Sequence, residues 1–231
     1  AITDLTIEWL KQRPEGQPWF HVMSFEPPHP VNTQLCPGEP FIAPASYMEA
    51  FADKPLTFLP NFASEHPRAD VYEQNLRGYY AEISNMDDNI GRLLAALEEN
   101  GQLDSPLIVY FSDHGDMMGS HGAQQKCRPE EESANIPLLV RRPGTIPAGR
   151  VSAGVIGAVD FMPTPLGLLG VPIPDTVQGQ DFSGLLRGDT EIGDDCTLIQ
   201  QEGIFYPPRP ESSFRAIRSG HWLYCVYLTR G

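Results

Sequence analysis

The apolar positions of the chain recur with a helical period in three places. Residues 3 to 13 carry one amphipathic face, which predicts a helix. A longer helix is predicted for residues 70 to 100, where apolar residues recur at three- and four-residue spacing. Asp70 and Glu73 stand at its start in the spacing of a capping box. A third, short helix is predicted for residues 160 to 169.

Continuous apolar runs predict the strands. Residues 18 to 25 and 107 to 111 are expected to form two buried strands, with the longest helix between them in sequence. Between these runs, residues 31 to 69 are Pro-rich and aperiodic, and we expect an ordered surface excursion there. The other predicted strands comprise residues 136 to 141, 155 to 159, 197 to 200, 214 to 218 and 222 to 227.

This order of elements predicts the fold class. A strand, a helix and a further strand in succession form the unit of a parallel sheet. We therefore expect an α/β fold over residues 1 to 194, with a doubly wound, mainly parallel sheet flanked by helices. Residues 195 to 231 are expected to begin a small antiparallel C-terminal subdomain. Ligands of such sheets bind outside the carboxyl ends of the strands, and both His29 and Asp113 follow predicted strands.

Composition and charge narrow the function. The 231 residues include 16 Lys and Arg against 30 Asp and Glu, a formal net charge of -14. This balance argues against nucleic acid or an anionic membrane surface as a partner, and an anionic substrate would need a local positive centre such as a metal ion. No run approaches the roughly 20 apolar residues of a membrane helix, so membrane insertion is not expected.

The four cysteines, Cys36, Cys127, Cys196 and Cys225, lack the spacing of a zinc site. Free thiols are the expected state, although four cysteines could also pair in three ways. The cysteines therefore leave the compartment open between the cytoplasm and the periplasm.

The polar loop FSDHGDMMGSHGAQQK, residues 111 to 126, carries the candidate chemistry. Asp113 and His114 supply a carboxylate and an imidazole, two donors that can bind a divalent cation at a strand end. Lys126 could contact an anionic oxygen as a point charge. Alternatively, the acidic residues cap turns and the histidines lie at the surface, and for the short DHGD motif alone this structural interpretation is favoured.

The surrounding sequence resembles the sulfatase family of the alkaline phosphatase superfamily. The resemblance rests on the block LDSPLIVYFSDHGDMMGSHGAQQKCRPEEESANIPLLVRRPG, on PWFHVMSFEPPHP upstream and on FRAIRSGHWLY downstream. It implies that Asp113 and His114 are metal ligands and that Lys126 contacts the sulfate or phosphate oxygens. It also implies that His29 hydrogen-bonds the departing oxygen as a general acid. His121 and Asp116 match no family role and are expected to serve a structural purpose.

The resemblance also implies parts that this chain lacks. The family's nucleophile is a formylglycine made from a Cys/Ser-x-Pro/Ala-x-Arg motif, and neither that motif nor the remaining acidic metal ligands are found. We therefore expect a domain truncated at both ends that is inactive alone. The expected cofactor is one divalent ion, Ca²⁺ or Mn²⁺, with Mg²⁺ also acceptable.

The expected function is that of a sulfuric ester hydrolase acting on a small-molecule sulfate or phosphonate ester. His114 stands where many sulfatases have Asn and occurs in phosphonate monoester and phosphodiester hydrolases, which leaves that activity as the alternative. A partial domain with only a binding or structural role is a second alternative. A Ser-His-Asp hydrolase is disfavoured because no GxSxG motif is present. The oligomeric state is left open.

Overall fold

The computed structural model describes residues 2–14, 16–31, 40–190, 196–202 and 213–228. The chain divides into two compact units. The first contains the described residues of Ala1–Asp104 together with Met117–Gln124, and the second contains those of Ser105–Asp116 and Gln125–Gly231. The domain boundary near residue 195 stays a prediction.

The first unit is built around one long helix. Helix α3 (Ala69–Glu99) packs against α1 (Ile2–Gln12) and α2 (Ala45–Ala52), and the predictions of α1 and α3 are confirmed. Each buried aliphatic side chain on this helix contributes about 1.5 to 3 kcal/mol through removal from water. The buried apolar residues of this unit include Leu10, Phe41, Ala43, Tyr72, Leu76, Ala81, Met86, Ala96 and Leu97.

The two ends of α3 differ from each other in how well they match the sequence prediction. The predicted capping box is wrong, because the N-cap is Arg68 and Glu73 instead binds Arg77 at 2.7 Å. Asp70 lies inside the first turn, where its charge favours the positive end of the helix dipole. At the other end, Gly101 adopts φ +65° and donates to the Glu98 carbonyl, so a glycine ends the helix as predicted.

Two other predictions for the first unit are wrong. Residues 18 to 25 form no strand, since no neighbouring strand among the described residues pairs with them, and Phe20 is 88% exposed rather than buried. The Pro-rich stretch from 31 to 69 is more than a surface excursion. It contains α2, and Phe41 and Ala43 are buried in the core.

The second unit contains both sheets of the described part of the chain. Strand β1 (Ile108–Phe111) pairs antiparallel with β2 (Leu138–Arg141), and the one-turn helix α4 (Glu131–Ala134) lies between them in sequence. The parallel pairing expected for the strand at 107 to 111 is therefore not found among the described residues. The crossover between parallel strands is usually a helix, whereas the connection from β1 to β2, residues 112 to 137, contains a single helical turn.

The rest of the second unit ends in a three-stranded sheet. Strands β3 (Cys196–Gln201), β4 (Phe214–Ser219) and β5 (Trp222–Tyr227) pair antiparallel in that order, which confirms the three strands predicted there. Helices α5 (Pro163–Leu169) and α6 (Ser183–Arg187) pack on each other. Gly170 ends α5 in the left-handed conformation, as expected for a helix followed by a turn.

The strand predicted at residues 155 to 159 is wrong. A short 3-10 turn spans Ala158–Asp160 instead, because the Asp160 carboxylate accepts the Gly157 N–H at 2.8 Å and turns the chain. Its other oxygen accepts the Gln180 N–H at 2.8 Å. The backbone N–H groups of Gly157 and Gln180 thus donate to a side chain and not to a neighbouring strand.

In the described part of the chain, no helix combines the length and the apolar character needed to cross a membrane. Cys127, Cys196 and Cys225 are free thiols, as expected. Cys36 lies outside the described residues.

Candidate active site

The turn from Ser112 to Gly115 begins directly after β1. The Ser112 hydroxyl donates to the His114 carbonyl at 2.7 Å, and the Asp113 carboxylate accepts the His114 N–H at 3.0 Å. These two short-range bonds fix the backbone of both candidate metal ligands. The Asp113 side chain is 85% exposed and that of His114 is 31% exposed.

The hydrogen bonding of His114 sets its tautomer. Its Nδ1 lies 2.7 Å from the Gly115 carbonyl oxygen, and a carbonyl can only accept, so Nδ1 carries the proton. In the neutral ring, Nε2 then has the lone pair, and it lies 3.6 Å from Asp113 Oδ2. Two adjacent ligands of one divalent cation, each at about 2.1 to 2.4 Å, stand roughly 3 to 3.9 Å apart between octahedral and tetrahedral geometry. The two donors therefore fit adjacent positions around one ion.

Two donors do not complete a metal site. Within the described ranges, no group of three or more His, Cys, Asp or Glu side chains could hold a metal ion. Asp113 and His114 can thus supply part of a coordination sphere.

Gly115 holds this turn against α4. Its N–H donates to the Ser133 carbonyl at 2.9 Å, and a Cβ at this position would lie 2.1 Å from the Glu132 carbonyl oxygen. Only glycine fits so close a backbone approach. Helix α4 therefore supports the backbone directly beside His114.

Lys126 lies in a tightly constrained turn. Its neighbours Gln125 and Cys127 have φ angles of +64° and +68°, which cost non-glycine residues about 1 to 3 kcal/mol each. The Asp116 carboxylate accepts the Gln125 N–H at 3.0 Å, and the Ser133 hydroxyl accepts the N–H of Arg128 at 3.3 Å. Such strained backbone is typical of functional positions.

His29 lies on an exposed loop of the first unit. Its N–H donates to the Glu26 carbonyl at 2.9 Å, which closes a turn over residues 26 to 29. Its Nδ1 lies 3.0 Å from the Pro30 carbonyl oxygen and carries the proton for the same reason as in His114. The ring nitrogen that remains for proton exchange is Nε2.

Comparison with known proteins identifies the family. The family model described as Sulfatase matches residues 1–171. The chain belongs to the sulfatase family. It is 29% identical over 226 residues to the ulvan-active sulfatase of Formosa agariphila, an alignment that covers 96% of this chain and 42% of that protein. The chain thus spans about two fifths of the length of this relative.

Solved structures show that the α/β fold is the sulfatase fold. The yidJ structure from Bacteroides fragilis superposes with a TM-score of 0.84 at 28% identity, covering 99% of this chain and 48% of that one. The phosphonate monoester hydrolase of Agrobacterium radiobacter gives a TM-score of 0.77 at 24% identity, with coverage of 98% and 51%. This second likeness shows the fold alone. The expected α/β class is confirmed.

Among the predicted site residues of this sulfatase-family chain, Asp113 and His114 contact each other through the His114 N–H and the Asp113 carboxylate. Asp116 and His121 have the structural contacts that were expected of them. His121 donates its N–H to the Asn61 carbonyl at 2.9 Å, and its Nε2 accepts from the Asn61 amide at 3.0 Å. Asp116 holds the turn that carries Lys126.

Sequence reasoning missed the supporting role of Ser133. This residue is 4% exposed, and it holds both Gly115 and Arg128. Nothing in the pattern EEESA signals these contacts, because they join the residue to positions 5 and 18 residues earlier in the chain. Asp116 carried a weak signal, since Asp commonly accepts backbone N–H groups in turns.

Proposed function

We propose that the protein containing this chain is a metal-dependent sulfuric ester hydrolase that cleaves sulfate monoesters. The observation that carries the proposal is the pair formed by Asp113 Oδ2 and His114 Nε2, 3.6 Å apart with the His114 tautomer fixed, in a chain of the sulfatase family. An exposed carboxylate beside a correctly protonated imidazole supports ligation of a hard or borderline cation.

Asp113 and His114 would hold one divalent ion, Ca²⁺ or Mn²⁺, with Mg²⁺ also acceptable. When bound, such an ion polarises the ester and helps to activate the nucleophile. The contribution of the chain is to keep both donors in place. The Gly115 carbonyl orients the imidazole, and the Ser133 carbonyl holds the Gly115 backbone.

Lys126 would bind the oxygens of the sulfate group. An ammonium group neutralises charge that develops on these oxygens and on the leaving oxygen. The turn between Asp116 and Ser133 supports this role, because its constrained backbone limits where the side chain can reach.

His29 would protonate the leaving oxygen. The Pro30 carbonyl holds the Nδ1 proton, so the proton delivered to the alcohol leaves from Nε2 of the imidazolium. The ester S–O bond breaks as the oxygen of the nucleophile bonds to sulfur. The SO₃ group thus passes to the nucleophile, and the bridging oxygen leaves with the protonated, neutral alcohol. We assign the nucleophile to a formylglycine in a part of the protein outside this chain, together with the remaining metal ligands.

A phosphonate monoester or phosphodiester hydrolase is the second candidate. The presence of His114 beside Asp113, where many sulfatases have Asn, favours it, because imidazole accepts softer ions such as Mn²⁺. Both candidates use the same donors and differ in the group that is transferred.

The experiment compares two esters on the full-length protein. Initial rates are measured with 4-nitrophenyl sulfate and with 4-nitrophenyl phenylphosphonate, which release the same alcohol, after loading with Ca²⁺ or Mn²⁺. We expect the larger kcat/KM for the sulfate ester, and chelation should abolish it. A larger kcat/KM for the phosphonate ester would replace the sulfatase proposal by its alternative. No hydrolysis of either ester would contradict both and favour a binding role.

A further inference from the structure

Glu82 is an unusual residue in the core of the first unit. It lies in the middle of α3 and is 2% exposed. Its Oε1 accepts the N–H of Ile42 at 2.9 Å, while its Oε2 has no hydrogen-bond partner among the described residues. Burial raises the pKa of this carboxyl to about 7, against the opposing effect of the Ile42 N–H. A buried acid with one partner is costly, which calls for a function that an apolar residue could not supply.

Gly78, one turn before Glu82 on α3, leaves room for the backbone of Phe41, the residue before Ile42. A Cβ on Gly78 would lie 2.7 Å from the Phe41 carbonyl oxygen and 2.8 Å from the Phe41 Cβ. Phe41 is buried, and its ring meets that of Tyr79 edge to face at 5.7 Å between centroids. Residues 41 and 42 are therefore held on α3 at two points, a glycine notch and a carboxyl acceptor.

This attachment continues to the loop that carries His29. The N–H of Val31 donates to the Pro40 carbonyl at 2.6 Å. Val31 lies two residues after His29, and Pro40 lies two residues before Ile42. Backbone contacts thus lead from the buried carboxyl to the loop in two short steps.

We propose that Glu82 is a positioning residue that holds the His29 loop, residues 26 to 31, in place through Ile42 and Pro40. The role assigned to His29 rests on the function proposed above. A leucine at position 82 would fill a similar volume, but it would remove the carboxyl oxygen that accepts the Ile42 N–H. The carboxyl is retained because it fixes the backbone to which the His29 loop is attached.

Three variants of the full-length protein test this assignment. Glu82→Gln keeps a carbonyl acceptor for Ile42, whereas Glu82→Leu removes it. Gly78→Ala disturbs the adjacent notch without changing the carboxyl. Gly91→Ala is the matched control for Gly78→Ala, because a Cβ at position 91 of the same helix meets nothing within 4 Å.

The first readout is the dependence of the rate on the leaving group. A displaced general acid slows esters of weakly acidic alcohols most, since these need the proton most. We expect Glu82→Leu to lower kcat/KM at least 10-fold for phenyl sulfate but less than about 3-fold for 4-nitrophenyl sulfate. Glu82→Gln and Gly91→Ala should stay within about 2-fold of the wild type for both esters. An equal loss on both esters in Glu82→Leu would overturn the proposal.

The second readout is amide hydrogen exchange at Ile42 and Val31, which needs no activity. Protection at both amides should fall in Glu82→Leu and in Gly78→Ala and persist in Glu82→Gln. Unchanged protection at Val31 would overturn the proposal. If the wild type hydrolyses neither ester, the proposed function is wrong, and amide hydrogen exchange alone then decides whether Glu82 holds the loop. If Glu82→Leu does not fold, Gly78→Ala decides by both readouts.

Discussion

The turn from Ser112 to Gly115 and the loop from residue 26 to 31 present the same chemical group in two different settings. In each, the Nδ1 of a histidine donates to the carbonyl of the following residue, at 2.7 Å in His114 and 3.0 Å in His29. His114 is half-buried, and its neighbour Gly115 is held against the backbone of α4. His29 is exposed, and its loop is tied to Pro40 by the Val31 N–H.

This difference shows that one tautomer can be fixed locally while the position of the ring is fixed elsewhere. The Ser112–Gly115 turn depends on a backbone contact that tolerates no side chain. The His29 loop depends on hydrogen bonds that lead to Glu82. The two histidines should therefore respond to different substitutions.

The substitution Gly115→Ala should have the largest effect on the Ser112–Gly115 turn. The new Cβ would lie 2.1 Å from the Glu132 carbonyl oxygen, so the backbone beside His114 must shift. We expect a stability loss of about 1 to 3 kcal/mol from overpacking and at least about a 100-fold loss of kcat/KM from misplaced ligands. Denaturant unfolding and initial rates with 4-nitrophenyl sulfate measure the two effects.

Gly184→Ala is the control in the same unit, because the atoms nearest to its Cβ belong to the Thr190 side chain and lie 3.3 Å or more away. It should change stability by less than about 1 kcal/mol. Equal effects of the two substitutions would show that the Gly115 contact has no special importance.

The pH dependence of stability should reveal the anchor of the His29 loop. The pKa of Glu82 is raised from 4.5 to about 7 by burial, and no charged side chain contributes to the shift. Its stabilising contribution is therefore complete below pH 4.5 and is lost as the pH rises through 7. Relative to wild type, Glu82→Gln should gain about 3 kcal/mol in free energy of unfolding between pH 4.5 and pH 8.

Denaturant unfolding of both proteins across this pH range measures the difference. A parallel pH dependence in wild type and variant would mean that Glu82 does not stay protonated in the folded protein. The His29 loop would then not be supported by a protonated carboxyl group at position 82.

A smaller effect is expected where α4 meets β4. Arg218 binds both oxygens of Glu131, at 3.1 and 3.5 Å, on the helix that supports Gly115. Both side chains are partly exposed, so Arg218→Gln should cost less than about 1 kcal/mol and lower kcat/KM only about 2- to 3-fold. Arg215→Gln in the same strand is the control, because its pair with Glu202 is longer and more exposed. A larger loss of kcat/KM in the control would show that the Arg218 contact with α4 does not support the turn at Gly115.

Much of this organisation was readable from the sequence, and the exceptions share a cause. The periodicity of α3 and the short strand segments of β4 and β5 are local patterns, and each element formed as predicted. Residues 18 to 25 have the composition of a strand, but a strand also needs a partner, which composition does not reveal. The pairing of β1 with β2 was likewise invisible, because direction depends on how the connection folds.

The candidate site divides in the same way. The roles of Asp113, His114, Lys126 and His29 follow from motifs and stay predictions. Motifs could not reveal the residues that support these four side chains. Ser133 and Glu82 bind backbone atoms of residues that are distant in sequence. Glu82 reads as one more polar residue in an amphipathic helix, and only its burial sets it apart.

Whether Asp113 and His114 bind a divalent ion is measured by calorimetric titration of the full-length protein with Mn²⁺ and with Ca²⁺. Asp113→Asn is compared with Asp175→Asn, which removes the same charge from another exposed position. We expect at least about a 100-fold weaker Kd in Asp113→Asn, with Asp175→Asn binding as the wild type does. Equal affinity in all three proteins would contradict the metal site.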